Sequence, residues 1–374
     1  MRLIRELALA IACTGCSLFG GLRVDALGSA AQPPGNVAAY VAVSNGDEPV
    51  TELSADDFAV YENEQRIPSS QTQQTLLDRE LVASHRTVLL VDTSSAASAG
   101  ARAELGRAVA SFVEKVRPTQ PVTVYGFAGR KLRLIAEYGR AAGDAPRPPE
   151  IAAGDTSRNL NGALKDGVRE LDARLALGGK PIRVGTLVVF ASGADVAGRV
   201  ATGEVEQALD ASNHSLIVIA VGPEPDSSLA AFARDGLVTA QSADTLPIAF
   251  EEAAYKVRAL YEKHYLFAYC SPARAGSRRL RLEVRLVDKQ GDEQTGNIET
   301  EFDARGFASH CNPRAVPRFV RKSPAPRRGQ AAPRAESPAT AEPDESAAEP
   351  ASQNETDADD GSVVPPPDRP GYAK

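Results

Sequence analysis

Tryptophan is absent from this 374-residue chain, and its one methionine is the first residue. Nothing in it therefore suggests an aromatic platform for stacking nucleic-acid bases. Excess positive charge is lacking as well: the net charge is −7, which argues against nucleic acid as the main partner. No apolar run reaches about 18 residues, so a conventional membrane-spanning helix is not expected. Histidine is scarce. His85, His214, His264 and His310 form no metal-ligand pair at helical spacing, and none stands beside a serine or cysteine in a recognised motif. "FASGAD" (190–195) is not a Gly-x-Ser-x-Gly nucleophile elbow, and "GFAGR" (126–130) lacks the spacing of a phosphate loop. Catalysis is not expected.

Cysteine is scarce too, at four residues, but their positions are informative. "MRLIRE" followed by "LALAIACTG" reads as an export signal, with a charged start and a short apolar stretch. Cys16, after Thr14-Gly15 and before Ser17, resembles the lipobox of bacterial lipoproteins, although Cys13 stands where leucine is usual and Glu6 is out of place. The expectation is a signal peptide and lipobox over 1–16 with lipid on Cys16. Modification of Cys13 and an ordinary signal peptide remain open. Acyl chains contribute about 0.8 kcal/mol per buried methylene, so several would anchor the chain stably. Ser17 resembles a signal for outer-membrane sorting. The expected location is the bacterial cell envelope, with a secreted or periplasmic protein as the alternative. Export leaves Cys270 and Cys311, an isolated pair that favours a disulfide over two buried thiols. In the chain-entropy description, closing that loop stabilises by about 4 kcal/mol.

Residues 17–35 are rich in small residues, end in Pro-Pro-Gly and read as a linker. Residues 36–80 alternate apolar and polar positions around Asn45-Gly46-Asp47 and read as a β segment. From 84 to 265, strands and helices alternate in the α/β manner. "RTVLLVD" (86–92), "RVGTLVVFASG" (183–193) and "SLIVIAVG" (215–222) are continuous apolar runs of buried strands. "PVTVYGFAG" (121–129) and "KLRLIAEY" (131–138) read as a hairpin. Helices are predicted over 101–116, 160–177, 200–212, 227–236 and 247–265. In the first, Leu105, Val109, Phe112, Val113 and Val116 recur at helical spacing. The expected fold is a doubly wound, mostly parallel α/β sheet with a small flanking β-domain, made from 36–80 together with a second β segment over 266–313. Order is expected to fail after Pro313. Residues 314–334 carry seven Lys/Arg and no acid, and 336–360 carry nine Asp/Glu and no base, the pattern of a disordered, charge-segregated tail over 314–374. The basic half offers at most a weak contact with an anionic envelope component.

This order of elements resembles a von Willebrand factor A-type (VWFA) domain of the bacterial kind that is preceded by a short β segment. The resemblance spans roughly 36–290. It rests on "GDEPVTELSADDFAVYENE", "VLLVDTSSA", "NLNGAL", "LVVFASGAD" and "YLFAYCSP", which occur in the family's order. It implies a site for a divalent cation, usually magnesium, built from Asp-x-Ser-x-Ser, a later threonine and an aspartate at a strand end. Asp92 and Ser94 match; Ala96 replaces the second serine, Arg158 aligns with the threonine, and Ser192 replaces the strand-end aspartate. Asp195 lies three residues further on, and Thr156 could substitute only if its loop shifted. A guanidinium about 5 Å from a dication costs on the order of 6 kcal/mol at an effective dielectric near 20. The expectation is that Arg158 pairs with Asp92 where the family holds its metal. No cofactor is expected, magnesium included; a domain that still binds magnesium through Asp92 and Ser94, with Thr156, is the alternative. The implied role is non-catalytic binding of an unidentified envelope or surface protein. A structural spacer whose charged tail carries the interaction is the other reading.

Overall fold

The computed structural model describes residues 21–320, apart from 95, 97, 144–145, 223–225 and 288–290. In chain order the elements are β1 (Leu22–Gln32), β2 (Asn36–Asn45), β3 (Glu48–Pro49), β4 (Phe58–Glu62), β5 (Gln65–Ile67), α1 (Ser69–Thr72) and β6 (Thr75–Leu77). The α/β unit follows as β7 (Ala83–Asp92), α2 (Ala99–Val116), β8 (Val122–Ala128), β9 (Lys131–Tyr138), α3 (Leu160–Leu177), β10 (Ile182–Ala191), α4 (Thr202–Ser212), β11 (Ser215–Val221), α5 (Ser227–Phe232), β12 (Gly236–Ala240) and α6 (Leu246–Glu262). β13 (His264–Cys270), β14 (Ser277–Val287) and β15 (Glu293–Asp303) complete the described chain.

The central sheet has the order β12-β11-β10-β7-β8-β9. Every pair in it is parallel except the β8–β9 hairpin at one edge. Side-chain parity divides its strands between two cores, because successive residues of a strand face opposite sides. Leu89, Val91, Val188, Phe190, Ile217 and Ile219 face α2 and α6. Val88, Leu90, Leu187, Val189, Leu216 and Val218 face α3, α4 and α5. Both faces are covered, which is why these strands read as unbroken apolar runs. Ser98 opens α2 by accepting a hydrogen bond from the Ala101 amide at 3.1 Å. The apolar stripe from Leu105 to Val116 then lies on the sheet.

The flanking β-domain draws on both ends of the α/β unit. One antiparallel sheet runs β1-β2-β13-β6, with β3 beside β2; the other runs β15-β14-β4-β5. Val37, Val41, Phe58, Phe267, Leu282 and Val284 belong to the core between them. The opposite face of the first sheet, with Ala38, Tyr40, Leu266 and Ala268, packs on Val82, Ala83 and Ile182 at the amino ends of β7 and β10. A disulfide joins Cys270 at the end of β13 to Cys311.

Three expectations are corrected. The linker expected over 17–35 contains β1, which pairs with β2 from Leu22↔Asn45 to Gln32↔Asn36; Pro-Pro-Gly makes the turn between them. Its small residues pack into a sheet that the composition alone did not reveal. The helix expected to run to Gly236 ends at Phe232, and the residues after it form β12, a five-residue edge strand with no continuous apolar run. Order does not stop at Pro313: Gln32 bonds to the Val316 carbonyl and the Arg318 amide, and Phe319 packs among the residues around Leu27 and Ile182. The segment expected to be a signal peptide, with Cys13 and Cys16, and the chain beyond 320 lie outside the described residues. Among the described residues no helix is long and apolar enough to cross a membrane.

Candidate functional site

The carboxyl ends of β7 and β10 lie side by side, with Phe190 paired to Val91, so Asp92 and Ser192 meet at one edge of the sheet. Asp92 is fully buried. Five donors converge on its carboxylate. Oδ1 accepts from the Ser94 amide at 2.9 Å and the Ser94 hydroxyl at 2.6 Å. Oδ2 accepts from the Ser192 hydroxyl at 2.6 Å, the Ser192 amide at 3.1 Å and Arg158 Nε at 3.0 Å. Hydrogen bonds to a charged acceptor are the strong kind, and here they also neutralise a buried acid.

Arg158 holds this place through more than its charge. It lies just before α3, and its carbonyl accepts the Val196 and Ala197 amides at 3.1 and 3.0 Å. Its Nη1 donates to the Ala194 carbonyl at 2.9 Å. Backbone and side chain together bind the loop after β10 to the start of α3. Gly193 permits this approach: a Cβ there would stand 2.8 Å from Arg158 Nη1. Asp195 points away from Asp92. It accepts the Asn161 amide at 3.1 Å, capping α3, and the Gly198 amide at 2.8 Å. Asp226 opens α5 nearby; the Ser228 hydroxyl and amide hold its carboxyl below the usual range, and Arg158 contributes a smaller pull.

The remaining predicted site residues are placed as follows. Ala96 is buried in the core under α2 and offers no oxygen from its side chain; its carbonyl accepts from Arg102 at 3.3 Å. Thr156 is exposed on the loop before α3. That loop runs close over Thr93, since a Cβ on Gly154 would stand 2.5 Å from Thr93 Oγ1. A hard dication seeks about six oxygens near 2.1 Å. Here the one carboxylate is saturated by donors and a guanidinium touches it, so the residues present do not fit such an ion. Among the described residues there is no group of three or more His, Cys, Asp or Glu able to hold a metal. His85 and His214 lie at the amino end of the sheet: His85 Nε2 is 2.9 Å from the Tyr40 hydroxyl, and His214 Nε2 is 2.9 Å from Asp172 Oδ1.

Sequence reasoning missed Gly193 and the cap from Asp195. The signal for Gly193 was a glycine directly after Ser192. The cap had none, because nothing in the spacing says which helix an acid in a loop will reach.

No protein-family model matches the chain, and no curated protein matches it. Solved structures do. A von Willebrand factor type A protein from Catenulispora acidiphila superposes with a TM-score of 0.37 at 10% identity, covering 78% of this chain and 75% of that one. The pilus adhesin SpaC from Lactobacillus rhamnosus GG, in an open conformation, gives 0.36 at 10% identity, covering 76% and 47%. The manganese-loaded TRAP protein of Plasmodium vivax gives 0.33 at 9% identity, covering 66% and 98%. The central unit is a doubly wound sheet with one antiparallel edge, helices on both faces, and Asp92 at the carboxyl end of its first strand, β7.

Proposed function

We propose that the chain is a non-catalytic protein of the bacterial cell envelope, anchored by lipid on Cys16, whose VWFA-type domain binds another protein. The binding face is the carboxyl edge of the sheet around Asp92, Ser94, Arg158 and Ser192. The observation that carries this reading is the Arg158–Asp92 pair, with Nε 3.0 Å from Oδ2. An internal guanidinium stands where this kind of domain would hold its cation, so recognition relies on shape and direct hydrogen bonds instead of a metal bridge. A catalytic role gains no support from the site: Ser94 and Ser192 both donate to Asp92, and no histidine stands with either.

Calorimetric titration of the full chain with magnesium, calcium and manganese tests the site. No heat of site binding is expected. Micromolar binding that disappears in Asp92→Ala would overturn the reading. A pull-down from detergent-solubilised envelopes, with wild type and Arg158→Ala, tests the face. The same partner should be captured by wild type and lost from the variant. Deleting 321–374, which leaves the packed Phe319 in place, separates the two origins of binding. A partner lost on deletion means that the tail carries the interaction and the domain is a spacer.

A further inference from the structure

Beside the Asp92 edge lies an open cleft of about 450 Å³, bounded by the β8–β9 turn, the first turns of α3 and the loop after β10. Its walls carry Arg130, Lys131, Lys165, Arg169 and Arg199, against a single acid, Asp166. This concentration is local, since the chain as a whole carries −7. Two of the five cations have acidic partners at the rim: Arg169 with Asp166 at 3.1 Å and Lys165 with Glu204 at 2.6 Å. Arg130, Lys131 and Arg199 are exposed and form no ion pair among the described residues. Folding alone gives no reason for like charges to gather here, because their mutual repulsion is unfavourable.

One polar residue of the lining is closed off from the cleft itself. Asn159 lines it, yet the residue is buried, with a relative exposure of 6%. It stands at the N-cap of α3 without capping it, and its Oδ1 has no hydrogen-bond partner. Asp195 has taken the cap on the Asn161 amide instead. The Oδ1 of Asn159 is an acceptor sealed from solvent, so it does not meet an acidic ligand; the exposed cations of the walls are what such a ligand would contact.

We propose that this cleft receives an acidic peptide segment of the protein partner. This rests on the reading that the neighbouring face binds a protein, and it names what that protein presents. The spacing favours a peptide over a single compact anion. Lys165 and Arg169 are four residues apart on α3, about 6 Å along its axis, and their solvent-exposed pairs with Glu204 and Asp166 are weak enough to be exchanged for a ligand's acids. Alternate side chains of an extended peptide lie on one side about 6.6 Å apart, so successive acids can meet successive cations. Arg130 and Lys131 line another side of the cleft, and Arg199 comes from the loop after β10.

The test is fluorescence anisotropy of a labelled hexaglutamate peptide with the full chain in detergent, with hexaglutamine as control. Hexaglutamate should bind, hexaglutamine should not, and added salt should weaken the complex. Reversing exposed charges changes the local field directly, so Arg130→Glu/Lys131→Glu and Arg199→Glu should each weaken binding at least about tenfold. Lys131→Gln should weaken it less. Circular dichroism melting confirms that the variants fold; if a reversal does not fold, Lys131→Gln with Arg199→Gln decides. Absence of hexaglutamate binding, or binding indifferent to these variants, overturns the proposal. So does tighter, cleft-dependent binding of a heparin oligosaccharide, which would assign the cleft to a polysaccharide. The magnesium titration reads Asp92 separately: micromolar metal binding there would remove the guanidinium-for-cation reading and leave the anisotropy result standing.

Discussion

Removing the guanidinium from Asp92 tests the centre of the site. Asp92 is fully buried, and the Arg158 side chain is only 20% exposed. Taking one partner from a buried pair costs about 3–5 kcal/mol where nothing else compensates. Here four donors from Ser94 and Ser192 remain on the carboxylate, and solvent reaches the arginine. Both facts lower the cost. Against them, Arg158→Met also loses the bond to the Ala194 carbonyl, a term of about 1 kcal/mol. The expected destabilisation is about 2–3 kcal/mol. Asp92→Asn replaces an acceptor oxygen by an amide nitrogen facing donors and should cost about 2 kcal/mol. In the double variant the two losses overlap, so the sum of the single effects should exceed the measured total by at least about 1 kcal/mol. Urea unfolding of the four proteins, with unchanged denaturant slopes, gives the cycle. Additivity within about 0.5 kcal/mol would show that the pair carries no coupling and would refute the reasoning.

Gly193→Ala places a methyl 2.8 Å from Arg158 Nη1; the guanidinium must leave Ala194 or Asp92, and a loss of about 1–2 kcal/mol in urea unfolding is expected. Burial is the main cause holding His264 down to about 3 from 6.5, with Lys263 adding to it. Burial, then His264 and Arg79, also hold His85 well below its ordinary value. Both stay neutral in the fold while the unfolded chain protonates near 6.5, so their contribution is complete above that pH and is lost as pH falls below it, for His264 down to about 3. His264 alone should remove about 2 kcal/mol between pH 7 and pH 5, and a urea midpoint that did not move would contradict it. Replacing Cys270 and Cys311 by alanine opens a link across 41 residues and should lower stability by about 3–4 kcal/mol. In the wild type, alkylation of these cysteines should require prior reduction.

The strands whose faces are both covered were legible as apolar runs, and α3 was predicted at the residues it occupies, Leu160–Leu177. The elements missed are those whose stability comes from partners distant in sequence. β1 carries a run of small residues over 28–31, near its end, and gains its hydrogen bonds from β2. β12 is held at the edge by β11, and Phe319 by a pocket around Leu27 and Ile182. At the site, residue types were readable because they depart from a resemblance: Ala96, Arg158 and Ser192 each changed the available chemistry. What could not be read was the second-tier support. Asp195 turning to cap α3, and Gly193 leaving room for Nη1, depend on loop conformation.

The β-domain packs under the amino ends of β7 and β10, while Asp92 closes the far end of the ten-residue β7. At about 3.3 Å per residue, the strand spans roughly 30 Å. The chain enters the α/β unit and leaves it through neighbouring strands of one sheet, β6 and β13. Both crossings into the α/β unit therefore sit at the pole that the β-domain covers, and the Asp92 edge lies at the other, clear of either crossing.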